Sequence, residues 1–141
     1  MANDSSDFLR SMSIATSGLR AQAGRMRVLS ENIANADSTA ATAGGDPYRR
    51  KIPTFSSALD RALDARVVTL GKVVPDRSAF RVKYDPSNPA ADASGNVKYP
   101  NVNSLIETTD MRDAQRSYEA NLNIIGATRR MIQRTLDILK N

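Results

Sequence analysis

Between Phe8 and Ala36, the positions Phe8, Met12, Ala15, Leu19, Gln22, Met26, Leu29, Ile33 and Ala36 recur at alternating steps of four and three. That spacing places all of them on one stripe of an α-helix and is the signature of a heptad seam. Gln22 is the polar member of the stripe, Ser5 or Ser6 followed by Asp7 offers a start, and no proline interrupts the segment. A helix of about 30 residues reaches roughly 45 Å. Gly18 and Gly24 weaken its interior by about 1 kcal/mol each relative to Ala, so the helix calls for a partner.

The last segment has the same rhythm: Met111, Gln115, Tyr118, Leu122, Ile125, Arg129, Ile132, Leu136 and Leu139. Glu107, Asp110 and Asp113 load its first turns with acid, and Arg129, Arg130, Arg134 and Lys140 load its last turns with base, as the helix dipole favours. On spacing alone the two stripes can pack against each other as an antiparallel pair within one chain, or be shared with neighbouring chains.

Between the helices the period changes. Residues 38–47 (STAATAGGDP) form a small-residue loop, and Tyr48 to Phe55 reads as extended because Pro47 and Pro53 exclude a continuous helix. Phe55 to Ala65 fits a short helical piece or a loop. Arg66 to Val74 is rich in β-branched residues and reads as a strand. Phe80 to Tyr84 and Val97 to Tyr99 alternate apolar and basic residues on either side of a turn-rich stretch, DPSNPAADASGN, and predict a small β-hairpin with a long tip.

The expected fold is therefore mainly α. Residues 1–40 and 104–141 form two long terminal helices in a coiled-coil pair, and residues 41–103 form a small β-hairpin and loop segment. That middle is too small to cover both stripes, so each end offers a face that neighbouring subunits can satisfy, and such ends order as they assemble.

Composition narrows the chemistry. The 141 residues include no Cys, His or Trp, which removes disulfides, Cys/His metal sites, thiol nucleophiles and imidazole bases together. No Ser-x-x-Lys run, Gly-rich phosphate loop or convergent acid pair stands out, so no catalytic, cofactor-binding or metal-binding residues are assigned and no enzyme is expected. The net charge of +5 is spread out: residues 1–40 hold four bases and four acids, 41–104 ten and six, and 105–141 six and five. Arg49-Arg50-Lys51 and Arg129-Arg130 are too short to track a run of phosphates, so a nucleic-acid partner ranks well behind a solvated or interface role. The first residues lack the pattern of a cleavable secretory signal, and no apolar stretch is long enough to insert in a membrane.

Several blocks together resemble the bacterial flagellar axial proteins, most closely the proximal-rod branch of the basal-body rod family. They are Ser17-Gly18-Leu19-Arg20-Ala21-Gln22 with Arg25-Met26, Glu31-Asn32-Ile33-Ala34-Asn35-Ala36, and the run Gly44-Gly45-Asp46-Pro47-Tyr48-Arg49-Arg50-Lys51. The blocks Asp85 to Asp92, Val97 to Asn103 (VKYPNVN) and Asp110 to Asn121 (DMRDAQRSYEAN) complete the set, in family order from about Phe8 to Leu139.

The resemblance implies a non-enzymatic subunit of the basal-body rod, the periplasmic driveshaft that carries torque to the hook and supports motility. It implies export by the flagellar type III apparatus without a cleavable signal. The partners it implies are like subunits, the rod proteins FlgB and FlgF, with FlgG a further candidate, and the FliE adaptor at the base. A different type III-exported coiled-coil protein is the nearest alternative.

On this reading Met12, Leu19, Met26, Leu29 and Ile33 pack against Tyr118, Leu122, Ile125, Ile132 and Leu136 within and between subunits. Asn32, Asn35 and Asn121 beside the seams set register or serve as ordinary helix-end amides. Arg49, Arg50 and Lys51 pair with acids of a neighbour such as Asp110 or Asp113, or keep a loop solvated.

Overall fold

The computed structural model describes residues 2–140, with side chains described for residues 6–138. Its elements run α1 (Ala2–Ala34), β1 (Lys51–Asp60), β2 (Ala65–Pro75), β3 (Arg81–Tyr84), β4 (Asn96–Tyr99) and α2 (Ser104–Lys140). Two long terminal helices thus flank a middle of two separate two-stranded antiparallel sheets, β1-β2 and β3-β4.

α1 begins at Ala2, ahead of the Ser5 or Ser6 start read from the sequence, because neither proline nor glycine interrupts residues 2–5. α2 begins where Asn103 caps it: its side-chain oxygen accepts the backbone N–H groups of Leu105 at 3.1 Å and Ile106 at 3.4 Å. Leu139 and Lys140, the ends of the expected apolar stripe and of the basic last turns, lie outside the described side chains.

The middle carries one more hairpin than the sequence suggested. β1 runs through Pro53 to Asp60, so the stretch from Phe55 that read as a helical piece or a loop is a strand. Proline is tolerated because each strand of a two-stranded ribbon is an edge strand, and a missing donor on the outer side breaks no ladder bond. The pairing is reinforced by side chains. Thr54 Oγ1 donates to the Lys72 carbonyl at 2.7 Å, and the hydroxyls of Ser56 and Thr69 share a hydrogen bond at 2.8 Å. The turn at residues 61–64 is fixed by Asp60, whose carboxylate accepts the Ala62 N–H at 3.0 Å.

The expected second hairpin is present, with Arg81 opposite Tyr99, Val82 opposite Lys98, Lys83 opposite Val97 and Tyr84 opposite Asn96. Its long tip holds itself through its own Asx turns. Asn88 Oδ1 accepts the Ala90 N–H, and Asp92 Oδ1 accepts those of Ser94 and Asn96. Gly95 sits at φ +81°, with Tyr84 Cε2 only 2.8 Å from where a Cβ would stand.

The chain divides into two compact units. One comprises residues 1–26, 54–72 and 113–141. The other comprises residues 27–53 and 73–112, and has at its centre Leu29, Asn32, Val97, Pro100 and Glu107, all essentially fully buried. In the first unit, two glycines of α1 act as notches. Asn121 of α2 lies flat against Gly18, with its side-chain N, C and O within 2.8–3.0 Å of an ideal Cβ position, and Leu70 of β2 fills the space at Gly24, with Cδ2 2.7 Å from one. Ser17 Oγ accepts the Val68 N–H at 3.2 Å and ties β2 to the same stretch of helix.

The two notches respond differently to a methyl group. At Gly24 the obstacle is the free end of a leucine that can rotate, so the gain in helix propensity of about 1 kcal/mol offsets the crowding in Gly24→Ala. At Gly18 a whole amide plane must move. Gly18→Ala is expected to be about 1 kcal/mol less stable than Gly24→Ala in urea unfolding.

Candidate functional site

Asn32 sits in the last turns of α1 with its side chain fully buried. Its carboxamide uses all of its hydrogen-bonding capacity. Nδ2 donates to the Lys51 carbonyl at 2.8 Å and to Glu107 Oε2 at 2.9 Å, while Oδ1 accepts the Lys51 N–H at 2.9 Å and the Tyr48 hydroxyl at 2.8 Å. The amide thus pairs with both backbone groups of the first residue of β1, as a neighbouring strand would.

Glu107, one turn into α2, is equally buried, and its second oxygen accepts Arg50 Nε at 2.6 Å. Arg50 reaches Asp76 at 3.4 Å with its guanidinium. Its backbone N–H donates to Asn101 Oδ1 at 2.8 Å, and its carbonyl accepts the Asp76 N–H at 2.8 Å. Asn101 in turn donates to the Asp76 carbonyl at 3.1 Å and to Ser78 Oγ at 2.8 Å. Arg49 lies over the Phe80 ring, 4.1 Å from its centroid, and donates to the carbonyls of Asp76 and Ser78. Lys51 pairs with Glu31. Each residue of the Arg49-Arg50-Lys51 run is therefore engaged inside its own chain, with Glu107, Asp76 and Glu31 supplying the acids in place of the Asp110 or Asp113 of a neighbour.

The electrostatics follow. Burial, with Glu31 and Glu107 nearby, pushes the Tyr48 hydroxyl up to about 12, keeping it a donor to Asn32. The Ser78 N–H and hydroxyl, followed by Arg50, hold the Asp76 carboxyl below its ordinary value. Lys98, bonded at 2.8 Å, does the same for the exposed Asp46. These contacts clasp the end of α1, the PYRRK segment, the segment before β3 and the start of α2. Among the described residues no group of three or more metal-ligating side chains occurs, and no helix is long and apolar enough to cross a membrane.

The other expected residues fall into two sets. Leu29 is buried, and Met12, Leu19, Met26, Ile33, Tyr118, Ile125 and Ile132 are half-buried. Asn35 and Asn121 each donate to a carbonyl of their own helix, Glu31 and Ser117 respectively, and Asn121 also covers the Gly18 notch.

The inward row of α2 is not quite the one that hydrophobicity marked. Met111, Tyr118, Ile125 and Ile132 do turn inward, but the residues that alternate with them are the buried Glu107, Ala114 and Thr128 and the half-buried Asn121, the last three lying one position before Gln115, Arg129 and Leu122 respectively. Small and polar side chains take the close-packed row. Leu122 (46% exposed), Leu136 (52%) and Ile138 (76%) are left on the outside together with Ile124 and Met131. Sequence reasoning missed Glu107, Asp76 and Asn101 as partners of the PYRRK run, and Tyr48 as a partner of Asn32. The available signal was an acid four residues behind Asn103, the asparagine cap of α2 that ends the VKYPNVN block.

Residues 12–41 match a family model described as flagella basal body rod protein, and residues 93–138 match one described as flagellar basal body rod FlgEFG protein C-terminal. The chain is 55% identical over 127 residues to the flagellar basal-body rod protein FlgC of Agrobacterium fabrum, covering 90% of this chain and 91% of that one. It is 39% identical to the FlgC of Bacillus subtilis, covering 92% and 97%, and 34% identical to that of Aquifex aeolicus, covering 95% and 98%.

Two outcomes test the clasp. Asn32→Asp replaces both donors with oxygen and sets a carboxylate against Glu107, so it is expected to destabilise the chain by about 3–5 kcal/mol in urea unfolding. Because the folded state raises the Tyr48 value above its unfolded value near 10, the stabilisation is whole below about pH 10 and is lost as pH rises towards 12. Tyr48→Phe removes that alkaline loss, which is read from urea midpoints at pH 9 and 11.

Proposed function

The chain belongs to the FlgC family of flagellar basal-body rod proteins, and on that footing we propose that it is a non-enzymatic building block of the proximal rod, held in place by its two axial helices. As a structural subunit of the rod it works by packing with other rod proteins in the basal body. Residues 1–40 and 104–141 supply the axial helices, which pair as a coiled coil in the assembled tube, and residues 41–103 supply the outward segment.

The observation that carries this reading is the uncovered apolar row on α2. Leu122 and Leu136, two heptads apart, stay exposed along one line of the helix, and Ile124, Met131 and Ile138 are exposed on a different face, while small and polar residues share the inner face with Met111, Tyr118, Ile125 and Ile132. Burying each such side chain contributes about 1.5–3 kcal/mol, enough in sum to offset the cost of fixing subunits in a tube. A tube that elongates needs heterologous contacts, in which one face of a subunit meets a different face of the next. An outer row on α2 distinct from the row used within the chain fits that requirement. Met12, Leu19, Met26 and Ile33 are only half-covered and are the matching positions on α1.

The partners proposed are like subunits, FlgB, FlgF and FlgG along the rod, and FliE at its base. Delivery is through the flagellar type III apparatus to the periplasm without a cleaved signal. Cysteine-free, aromatic-poor chains suit that route. The self-satisfied Arg49-Arg50-Lys51 run speaks against a basic surface for nucleic acid, because its charges are committed to acids and carbonyls of the same chain.

Two variants separate folding from assembly. Leu122→Asp places a charge where the single chain is already solvated, so its urea midpoint is expected to stay within about 0.5 kcal/mol of the parent. In a strain lacking its own copy it is nonetheless expected to abolish swimming, because that charge is buried when the rod forms. Ile33→Asp, on the half-covered face of α1, is expected to lose both. Wild-type swimming with Leu122→Asp would remove the outer row from the account.

A further inference from the structure

The apolar stripe of α1 runs to Ala36, but the helix stops at Ala34, and its own sequence supplies no ordinary stop. Neither glycine nor proline follows before Gly44, and the last turn contains no basic residue to oppose the negative end of the helix dipole. The chain closes instead through a tight turn, in which Ala36 N–H donates to the Ile33 carbonyl and Ser38 N–H to the Asn35 carbonyl, each at 3.2 Å. The carbonyl of the buried Ala36 is taken up from 45 residues away. Arg81, the first residue of β3, donates to it through Nη2 at 2.9 Å, and through Nε to the carbonyl of Pro100, just past β4, at 3.1 Å. The pairing of Arg81 with Asp37 at 3.6 Å adds little, because that carboxylate is 89% exposed. One planar guanidinium thus joins the closing turn of α1 to the open end of the β3-β4 hairpin, all within one compact unit.

We propose that Arg81 is a positioning residue that caps α1 from outside the helix: it holds the closing turn at residues 35–38 and makes that turn conditional on the β3-β4 hairpin, so that the two form together. The direction in which the middle segment leaves α1 is then set by a residue of the middle segment itself. Fork geometry matters here beyond charge, since a lysine keeps the charge but reaches only one of the two carbonyls. The cap is a property of the single chain and stands apart from the rod reading.

Residue-resolved amide hydrogen exchange of the full chain tests it in Arg81→Met, Arg81→Lys, Gly95→Ala and the double variant Arg81→Met with Gly95→Ala. Gly95 lies at the far end of the hairpin at φ +81°, against Tyr84, so a methyl group there strains the hairpin without touching α1. Arg81→Met is expected to speed exchange at Asn35, Ala36 and Ser38 roughly tenfold while Leu29, further up the helix, changes less than about twofold. Arg81→Lys is expected to behave like Arg81→Met. Gly95→Ala is expected to speed the same three amides in the parent and to add less than about twofold once Arg81 is gone. Unchanged amides in Arg81→Met, or an equal rise at Leu29, overturn the cap, and parent-like rates in Arg81→Lys overturn the fork. If Gly95→Ala leaves the three amides unchanged in the parent, or speeds them equally with and without Arg81, the helix end is not coupled to the hairpin through this residue.

Discussion

A long helix packed along one side must choose which of its rows turns inward, and in α2 the choice goes to the small and polar row. Glu107, Ala114, Asn121 and Thr128 are covered, and Leu122, Leu136 and Ile138 are not. Close approach between helices favours small side chains, and the carboxylate of Glu107 has a specific buried partner set that no apolar residue could replace. With that row committed, Leu122, Ile124, Met131, Leu136 and Ile138 stay exposed. Around Asn32 the polar contacts are complete within the chain, while large apolar side chains of α2 stay uncovered, which is the condition of a subunit.

The polar completeness is concentrated at Asn32. One amide joins the end of α1 to the first residue of β1, the Tyr48 hydroxyl and the Glu107 carboxylate, and through Arg50 the set extends to Asp76, Asn101 and Ser78. A buried ion pair of this type adds little net stability compared with apolar packing but penalises every wrong arrangement that leaves one member unpaired. Such a clasp sets the geometry of the chain where α1 and α2 meet the middle segment.

Much of this was legible in the sequence, for identifiable reasons. The helices were visible because Met, Leu and Ile recur on a seven-residue period, and the hairpin from Arg81 to Tyr99 because β-branched and turn residues alternate as a hairpin requires. β1 was not, since Ser56, Ser57 and Ala58 have little strand preference of their own and are held by pairing with the β-branched strand opposite. The inner row of α2 was misplaced by one position because hydrophobicity marks where large apolar residues lie, while close packing selects Ala, Asn and Thr. Arg50 was read as a surface charge because its partners lie 26 and 57 residues away, beyond any local pattern.

The central claim, that the outer row of α2 is exposed in the single chain and covered in the rod, can be measured directly because the natural chain has no cysteine. Leu136→Cys gives a single thiol on the outer row, and Leu29→Cys gives one in the buried interior as a reference. Maleimide labelling is compared between the isolated chain and purified basal bodies. The account predicts rapid labelling of Leu136→Cys in the free chain, strong protection in the basal body, and protection of Leu29→Cys in both. Equal, rapid labelling of Leu136→Cys before and after assembly would contradict it.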